Sequence, residues 1–535
     1  MAQQSTRRLP VGIQSFREIR LGNYVYVDKT DIMWHMVNLG DKYNYLSRPR
    51  RFGKSVLVDT LQMYLEGRRE LFEGLKIISL EKDWICHPVI RLDMSEGGDT
   101  AFEIESYLNS AFRKYEKTYD VDVSDMDTLA VRLSNILQAA YEKTGQLAAV
   151  LIDEYDAPLQ HSWHTASHDE CTRVYRKVFT VLKSATQYLK FVFITGITKF
   201  TQISLFSVLN NLTNISFLPE YASICGITEE EITSYLSQEV KAMAIANGWT
   251  EEETHNRLKI YYDGYHFCHK NMVDVYNPFS LVKALSEREL SNYWVSSGAT
   301  TILPKFVNDI EIKMDYFDNC YIDKDTLESS DIMDGDPELF LYQAGYLTIK
   351  GYNDGIYHLG FPNEEVRKAL YKMTIPALTM KAASQITSIQ MLLKNGMNEG
   401  NVNNICSSLR SLIADVPYSN KKLASMDMEE RYRLIISSIL NAIGCRVEVE
   451  RMLATGRIDI VAWTTHFVYV IELKLSNNGG LKAAEQQIKS NNYLAPFQAD
   501  TRKVIGVAIE LDDKGKGLVD WNEIRISYSS FGFRL

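Results

Sequence analysis

Three short stretches of this 535-residue sequence hold residue types that can do chemistry. The first is SRPRRFGKS, Ser47 to Ser55. Its tail, Gly53-Lys54-Ser55, is how a phosphate-binding loop ends: backbone N–H groups and a following helix N-terminus face phosphate oxygens, the lysine reaches the β- and γ-phosphates and the hydroxyl ligates Mg²⁺. Arg50, Arg51, Phe52 and Gly53 would form the wall of the loop, Lys54 the phosphate contact and Ser55 a metal ligand. The glycine that should open such a loop is replaced by Arg48, which costs little only if that position needs no positive φ. By itself the stretch is equally readable as a basic surface turn.

The second stretch tips that balance. Val150-Leu151-Ile152-Asp153-Glu154 is an apolar run ending in two acids. In phosphoryl-transfer sites of this layout the Asp supports Mg²⁺ and the adjacent Glu polarises the attacking water. Acids at the C-terminal end of a parallel strand lie on the same sheet edge as the loop. A further run, FITGITKF, ends in Thr195 and Thr198; a hydroxyl at Thr195 could sense the γ-phosphate, although strands also simply end in Thr.

The third stretch is GRIDIVAWTTHFVYVIELKL, residues 456–475. A hairpin of Arg457–Trp463 and Phe467–Leu475 with a two- or four-residue turn is expected to set Asp459 opposite Val470. Glu472 is then one diagonal step away, and Lys474 follows on the same face by the period of two. Two carboxylates, Asp459 and Glu472, form a hard-oxygen site suited to Mg²⁺ or Mn²⁺. The lysine can activate water or stabilise a pentavalent phosphorane, which is metal-assisted phosphodiester hydrolysis. The bland alternative, an amphipathic hairpin with outward charges, fits poorly with the apolar residues surrounding the acids.

These residues need strands and helices to hold them. Up to about residue 225, apolar strands (Tyr43–Ser47, Val89–Asp93, Ala148–Asp153, Phe191–Thr195) alternate with helical spacing at Ile104–Tyr119 and Thr128–Lys143. That alternation implies a mostly parallel sheet covered on both faces. A helix over Val56–Glu66 follows the phosphate loop. Residues 226–375 read as short helices, Glu229–Asn247 and Glu251–Tyr261, with aromatic turns and two strand-like runs: a small helical or winged-helix-like domain. Residues 376–425 read as a helical connector. From 426 to 535 comes a second α/β unit: helix Asp427–Ile443 capped by Gly444, strands Val447–Glu450, Arg457–Trp463 and Phe467–Leu475, helix Leu481–Tyr493 and strand Lys503–Glu510.

Bulk properties narrow the setting. No apolar run approaches the roughly 18–20 residues that span a bilayer, and the N-terminus lacks the apolar core of a secretory signal. Seven cysteines are scattered singly, which fits buried thiols in a reducing compartment better than disulfides or zinc. The expected location is cytoplasmic, with no membrane partner. A net charge of −10 argues against binding polyanions over the whole surface, but leaves room for a local basic groove.

The ordered motifs LPVGIQSFREIRLGNYVYVDKT, YLSRPRRFGKS, LIDEYDAP, FITGITKFTQISLFSVLNNL, YYDGYHF and YNPFS, spanning roughly residues 9–370, resemble the AAA-ATPase-like family. In that family RPRRFGKS is the usual loop, so Arg48 is a variant and no lesion. The resemblance implies an ATP-binding P-loop NTPase domain of the additional-catalytic-glutamate type, with a winged-helix-like lid, and Tyr26–Thr30 is placed to hold the adenine end. Residues 426–510 resemble the PD-(D/E)XK nuclease superfamily, whose fold is restriction-endonuclease-like α/β. That resemblance implies Glu429 as the helix-borne acid, with Glu430 the alternative, and Gln487 as the glutamine after the active-site strands, with Gln486 the alternative. Tyr432-Arg433 stands where relatives often carry Tyr-His, so no histidine role transfers.

The expected protein is thus an ATPase joined to a Mg²⁺- or Mn²⁺-dependent nuclease, with Glu154, Glu429, Asp459, Glu472, Lys474 and Gln487 catalytic and Ser55, Asp153, Asp459 and Glu472 holding metal. DNA or RNA is the expected partner, and the ATPase resemblance also implies a homo-oligomer. The competing expectation is an ATP-driven switch or scaffold whose C-terminal domain binds nucleic acid without cutting it. A small-molecule kinase is a third reading, weakened by the absence of an acceptor-binding motif.

Overall fold

The computed structural model describes residues 7–123, 127–163, 165–198, 211–296, 320–329, 337–370, 383–414 and 427–525. Two compact units make up the chain: Met1–Ile302 with Cys320–Asn363, and a second that is chiefly Glu364–Leu535. Among the described residues, no helix is long and apolar enough to cross a membrane.

The first unit is built on a five-stranded sheet of β1 (Tyr43–Ser47), β2 (Val89–Asp93), β3 (Ala148–Asp153), β4 (Leu189–Gly196) and β5 (Thr213–Asn214), in the order β2-β3-β4-β1-β5. Every pairing is parallel. All six residues of β3 are buried, as a central parallel strand covered on both faces requires. Helices Lys54–Leu65, Ala101–Tyr119 and Leu129–Thr144 connect the strands. The order brings the C-terminal ends of β1, β3 and β4 side by side, and these ends carry the phosphate loop, Asp153 and Thr195.

The same unit continues into a helical part and a small antiparallel sheet of β6 (Cys320–Asp323), β7 (Thr348–Asn353) and β8 (Ile356–Gly360), in the order β6-β8-β7. The single helix expected over Glu229–Asn247 is two helices, Glu229–Tyr235 and Ser237–Asn247. Leu236 breaks the run with φ −126°, turning its side chain into a core with Ile232, Val240 and Leu281. Tertiary burial overrides helix propensity there. The part of FITGITKFTQISLFSVLNNL at 199–210 lies outside the described residues, as do 376–382 and 415–425 of the expected connector. The rest of the connector is helical, Ala383–Glu399 and Val402–Ile413.

The second unit carries a five-stranded mixed sheet of β9 (Arg446–Leu453), β10 (Gly456–Trp463), β11 (Phe467–Leu475), β12 (Lys503–Leu511) and β13 (Leu518–Arg525), ordered β13-β12-β11-β10-β9. Only β11–β12 is parallel. Helix Met428–Ala442 starts from the Asp427 side-chain cap, and helix Gly480–Ser490 stops three residues short of the expected Tyr493. β13 was not expected; its exposed, charge-rich sequence pairs only as an edge. The hairpin register also differs from expectation. Val461, not Asp459, pairs with Val470, because Thr464 N–H bonds the Phe467 carbonyl at 2.9 Å and puts the two-residue turn at Thr465-His466, one residue later than the expected pairing needs. The next step of that register sets Asp459 directly across from Glu472.

Candidate functional site

The phosphate loop leaves β1 and enters helix Lys54–Leu65. Gly53 takes a left-handed φ of 87° as the helix N-cap and no side chain caps the helix. The first backbone N–H groups are thereby left facing outward, the arrangement that receives phosphate oxygens. Gly53 is not the only left-handed residue here: Arg51 has φ 68°, whereas Arg48 is absent from the positive-φ residues. The position that lost its glycine did not need one.

Arg48 instead has a structural task. It is 1% exposed, and its guanidinium donates to the carbonyls of Ser47 (2.8 Å), Ser216 (3.0 Å) and Tyr221 (2.9 Å). It therefore does not contribute to a basic groove. Lys54 is buried too, its ammonium donating to the Arg48 and Pro49 carbonyls at 2.9 and 3.0 Å. Burial lowers the Lys54 pKa, opposed by Glu154, Asp153 and Asp156.

Asp153 and Glu154 stand at the end of β3. Burial raises both carboxyls; Ser55 and then Lys54 oppose the rise at Asp153, and Lys54 opposes it at Glu154. Glu154 sits at φ 46°, a strained conformation for a non-glycine residue of the kind that collects at functional sites. Thr195 is fully buried and donates to Asp153 Oδ1 at 3.4 Å. The Thr198 hydroxyl is engaged by Asp156 at 2.6 Å.

Beside these groups opens a cavity of 580 Å³ lined by the whole Arg50–Leu57 stretch, Asp93, Glu154, Tyr26, Lys29 and, from the helical part, Ile224–Ile227, Leu236, Phe279 and Val282. Its volume is in the range of small-molecule sites. Its lining combines the phosphate loop, Asp93 and Glu154 with apolar residues such as Ile224, Leu236, Phe279 and Val282, the mixture a nucleotide requires. Neither Asp153 nor Thr195 lines it. Within Tyr26–Thr30, Lys29 pairs with Glu231 at 2.6 Å and Asp28 holds the Thr30 and Lys76 backbone N–H groups at 2.9 and 2.7 Å.

In the second unit, the register lines up Glu450, Asp459 and Glu472 across β9, β10 and β11: Ile458 pairs with Arg451 and Ile460 with Val449, while Ile460 pairs with Ile471. Asp459 accepts from the Leu473 N–H at 2.9 Å and lies 3.3 Å from Arg433. Glu472 is 0% exposed; Oε1 meets Lys474 at 3.2 Å, and Oε2 has no hydrogen-bond partner among the described residues. Lys474 also lies 3.7 Å from Glu429. Burial, then the nearby Asp459, pushes the Glu472 carboxyl up. Burial by itself would lower Lys474, but Glu472, Asp459 and Glu429 outweigh it and keep the ammonium charged.

An orphaned buried carboxylate oxygen in an all-oxygen donor set fits a hard divalent cation. Among the described residues, no three His, Cys, Asp or Glu groups are already gathered for one. Gln487 stands apart from the acids: it donates to the Tyr493 hydroxyl at 3.1 Å, which donates to the Arg457 carbonyl at 2.9 Å. Gln486 is exposed.

Comparison with known proteins bears on both sites. Residues 10–206 match the family model for a predicted AAA-ATPase, and residues 427–521 match that of the PD-(D/E)XK nuclease superfamily. Both matches fall within this one chain. It is 29% identical over 538 residues to an "uncharacterized protein in vnfD 5′ region" of Azotobacter chroococcum mcd 1, covering 95% of this chain and 99% of the relative. Solved structures of Cdc6p from Pyrobaculum aerophilum (13% identity, 68% of this chain, 93% of that one, TM-score 0.23) and of Aeropyrum pernix ORC1 in complex with DNA (11%, 66%, 96%, TM-score 0.25) are also similar, at scores too low to carry an argument.

Sequence reasoning missed three residues. In the AAA-ATPase-like domain, Asp156 Oδ2 gathers the N–H groups of Ile197 (3.0 Å) and Thr198 (2.6 Å), the Thr198 hydroxyl and the Gln160 amide (2.5 Å). It pins the chain leaving β4 so tightly that a Cβ on Gly196 would lie 2.5 Å from Asp156 Oδ1. A third acid in DEYD was the available signal. In the nuclease-superfamily domain, Arg433 reaches both Asp459 and Glu450, at 3.3 and 2.9 Å. Its spacing of four from Glu429, which puts both on one helix face, could have found it. Glu450 had no sequence signal. Of the cysteines, six are buried as expected and Cys86 is exposed.

Proposed function

We propose that this chain binds and hydrolyses ATP in its N-terminal domain and uses that cycle to control a metal-dependent nuclease in its C-terminal domain, which hydrolyses phosphodiester bonds in nucleic acid. The reading rests above all on one observation: Lys474 is held 3.2 Å from Glu472 and 3.7 Å from Glu429, while in the N-terminal domain Lys54 sits on the loop carbonyls of Arg48 and Pro49, close enough to Glu154 and Asp153 for their charge to oppose the fall of its pKa. We retain 1–225, 226–375, 376–425 and 426–535 as the functional divisions.

When bound, ATP brings the transferable phosphoryl group and a divalent cation brings Lewis acidity. Arg50 to Gly53 line the phosphates, Lys54 swings from its loop carbonyls to phosphate oxygens, Ser55 and Asp153 would hold the cation, and Glu154 takes the proton of the attacking water. Thr195 keeps Asp153 oriented through their 3.4 Å hydrogen bond, and through Asp153 it would respond to a bound γ-phosphate. In the nuclease, Asp459 and Glu472 would hold Mg²⁺ or Mn²⁺. Lys474 stays cationic between two carboxylates and meets the charge that develops on the scissile phosphate. Glu429, which approaches Lys474, is favoured over Glu430. Gln487 steadies the start of β10 through Tyr493.

The decisive assay is cleavage of a DNA and RNA panel with Mn²⁺, with and without ATP, by wild type, Asp459→Ala and Lys54→Ala. Cleavage lost in Asp459→Ala, and deprived only of its ATP response in Lys54→Ala, upholds the reading. A second reading, an ATP switch whose C-terminal domain binds but does not cut, draws on the Arg433 contact with Asp459, which neutralises a prospective metal ligand. No cleavage under any condition, with ATP bound tightly but barely turned over, would favour it.

A further inference from the structure

The carboxylate of Glu450 is held in an unusual way. One oxygen, Oε1, lies 2.9 Å from Arg433 and 2.9 Å from Arg457, so two guanidinium groups converge on a single anionic oxygen. Arg433, with 11% side-chain exposure, also reaches Asp459 of the acid row. Arg457 is half exposed and Glu450 is 40% exposed. The backbone is bent to make this contact: Glu450 has φ 54° inside β9, between two regular pairs with β10. A left-handed backbone is unfavourable for a non-glycine residue, whereas a solvent-accessible ion pair contributes little. As a stabilising device the arrangement gains little.

Two arginines sharing one oxygen is how proteins hold a phosphate, since the planar guanidinium fork matches its oxygens. We infer that Arg433 and Arg457 form a binding site for a backbone phosphate of nucleic acid beside the acid row, and that Glu450 is an internal anion that substrate must displace. This deepens the nuclease reading and rests on it for the identity of the ligand. In a chain with net charge −10, such a site concentrates positive charge where the phosphodiester must lie. It also gives the nuclease a built-in threshold: a phosphate has to outcompete a tethered carboxylate.

The test is equilibrium binding of the full-length protein to 5′-fluorescein-labelled 20-nucleotide DNA and RNA strands, followed by anisotropy in EDTA so that no cleavage occurs. Glu450→Gln is expected to tighten binding about threefold to tenfold, and Arg457→Ala to weaken it by a similar factor and lower the salt slope by about one. Both side chains are exposed enough for the fold to survive. Glu448→Gln removes the same charge from the same strand, where its partners are Arg446 and Arg451, and should leave affinity unchanged. The DNA and RNA arms show which phosphodiester is held. The site is overturned if Glu450→Gln binds as wild type does, if Glu448→Gln gives an equal gain, or if Arg457→Ala has no effect. Shifts as expected in a protein that never cuts with Mn²⁺ uphold the phosphate site and sink the nuclease reading alone.

Discussion

The Arg48 guanidinium lies 4.0 Å from the centre of the Phe267 ring. Arg48 opens the phosphate loop and Phe267 closes the YYDGYHF motif, so two motifs far apart in sequence share one contact. Phe52 of the same loop packs edge-on against Tyr265 and Phe267, with ring centres 4.7 and 5.4 Å apart. A loop that lost its opening glycine is thus braced from outside, by a buried cation with three carbonyl acceptors and an aromatic face.

Arg48→Gly, which restores a conventional loop sequence, should therefore destabilise the protein. Three carbonyls, two of them buried, lose a charged donor and a large side chain leaves a void, a cost of about 3–5 kcal/mol. Thermal unfolding checks this. An Arg48→Gly protein as stable as wild type would mean that the loop is self-supporting.

Lys54→Ala should reduce ATP affinity by roughly 10- to 150-fold, the worth of a charged hydrogen bond of about 1.5–3 kcal/mol. Glu154→Gln should bind ATP as wild type does and hydrolyse it at least about 100-fold more slowly. Titration with a fluorescent ATP analogue, together with a phosphate-release assay, separates the two. Equal loss of binding in both variants would remove Glu154 from the catalytic role.

Arg433→Ala should leave Asp459 as an uncompensated buried carboxylate. The expected result is a loss of about 3–5 kcal/mol without metal. Mg²⁺ or Mn²⁺ should then raise the melting temperature more in the variant than in wild type, because the cation takes over the neutralising role. Melting curves with and without each ion decide it; no differential rescue would count against a cation at Asp459.

Asp263, in YYDGYHF, is 1% exposed, and burial raises its carboxyl to about 7, with the Gly264 N–H and Lys259 opposing and Asp274 and Glu229 assisting. A carboxyl whose folded pKa exceeds its unfolded value favours folding when protonated. Its contribution is full below about pH 4 and is lost as pH rises through about 7. Asp263→Asn should match wild type near pH 4 and exceed it by about 1–3 kcal/mol at pH 8. Denaturant melts at the two pH values test this, and an equal difference at both would refute the titration.

How much was legible beforehand followed from how local each feature is. β1, β2 and β3 fall on their expected residues because a buried parallel strand is an unbroken apolar run, and AAVLID has no other way to hide. Asp153, Lys54, Glu472 and Lys474 were readable because strand ends and the period of two fix their neighbours. The partner of Asp459 was misjudged by two residues along β11, because the strand pattern does not mark where the two-residue turn falls, and its place at Thr465-His466 sets the register. The break at Leu236 and the edge strand β13 escaped because a core contact and a sheet edge decided them.

By itself, the sequence determined which reactive side chains stand at which strand ends: a loop ending in GKS, an apolar strand ending in DE, and IDIV with IELK, each a short-range pattern whose geometry the backbone imposes. Only the tertiary structure decided what faces those groups. Arg48 became a buried brace because Phe267 and the carbonyls of Ser216 and Tyr221 arrive from more than a hundred residues away. Arg433 came to rest between Asp459 and Glu450 because a helix packs across the row they form. Burial and partner charge are properties of the assembled fold, where a side chain's surroundings come from residues that are distant along the chain.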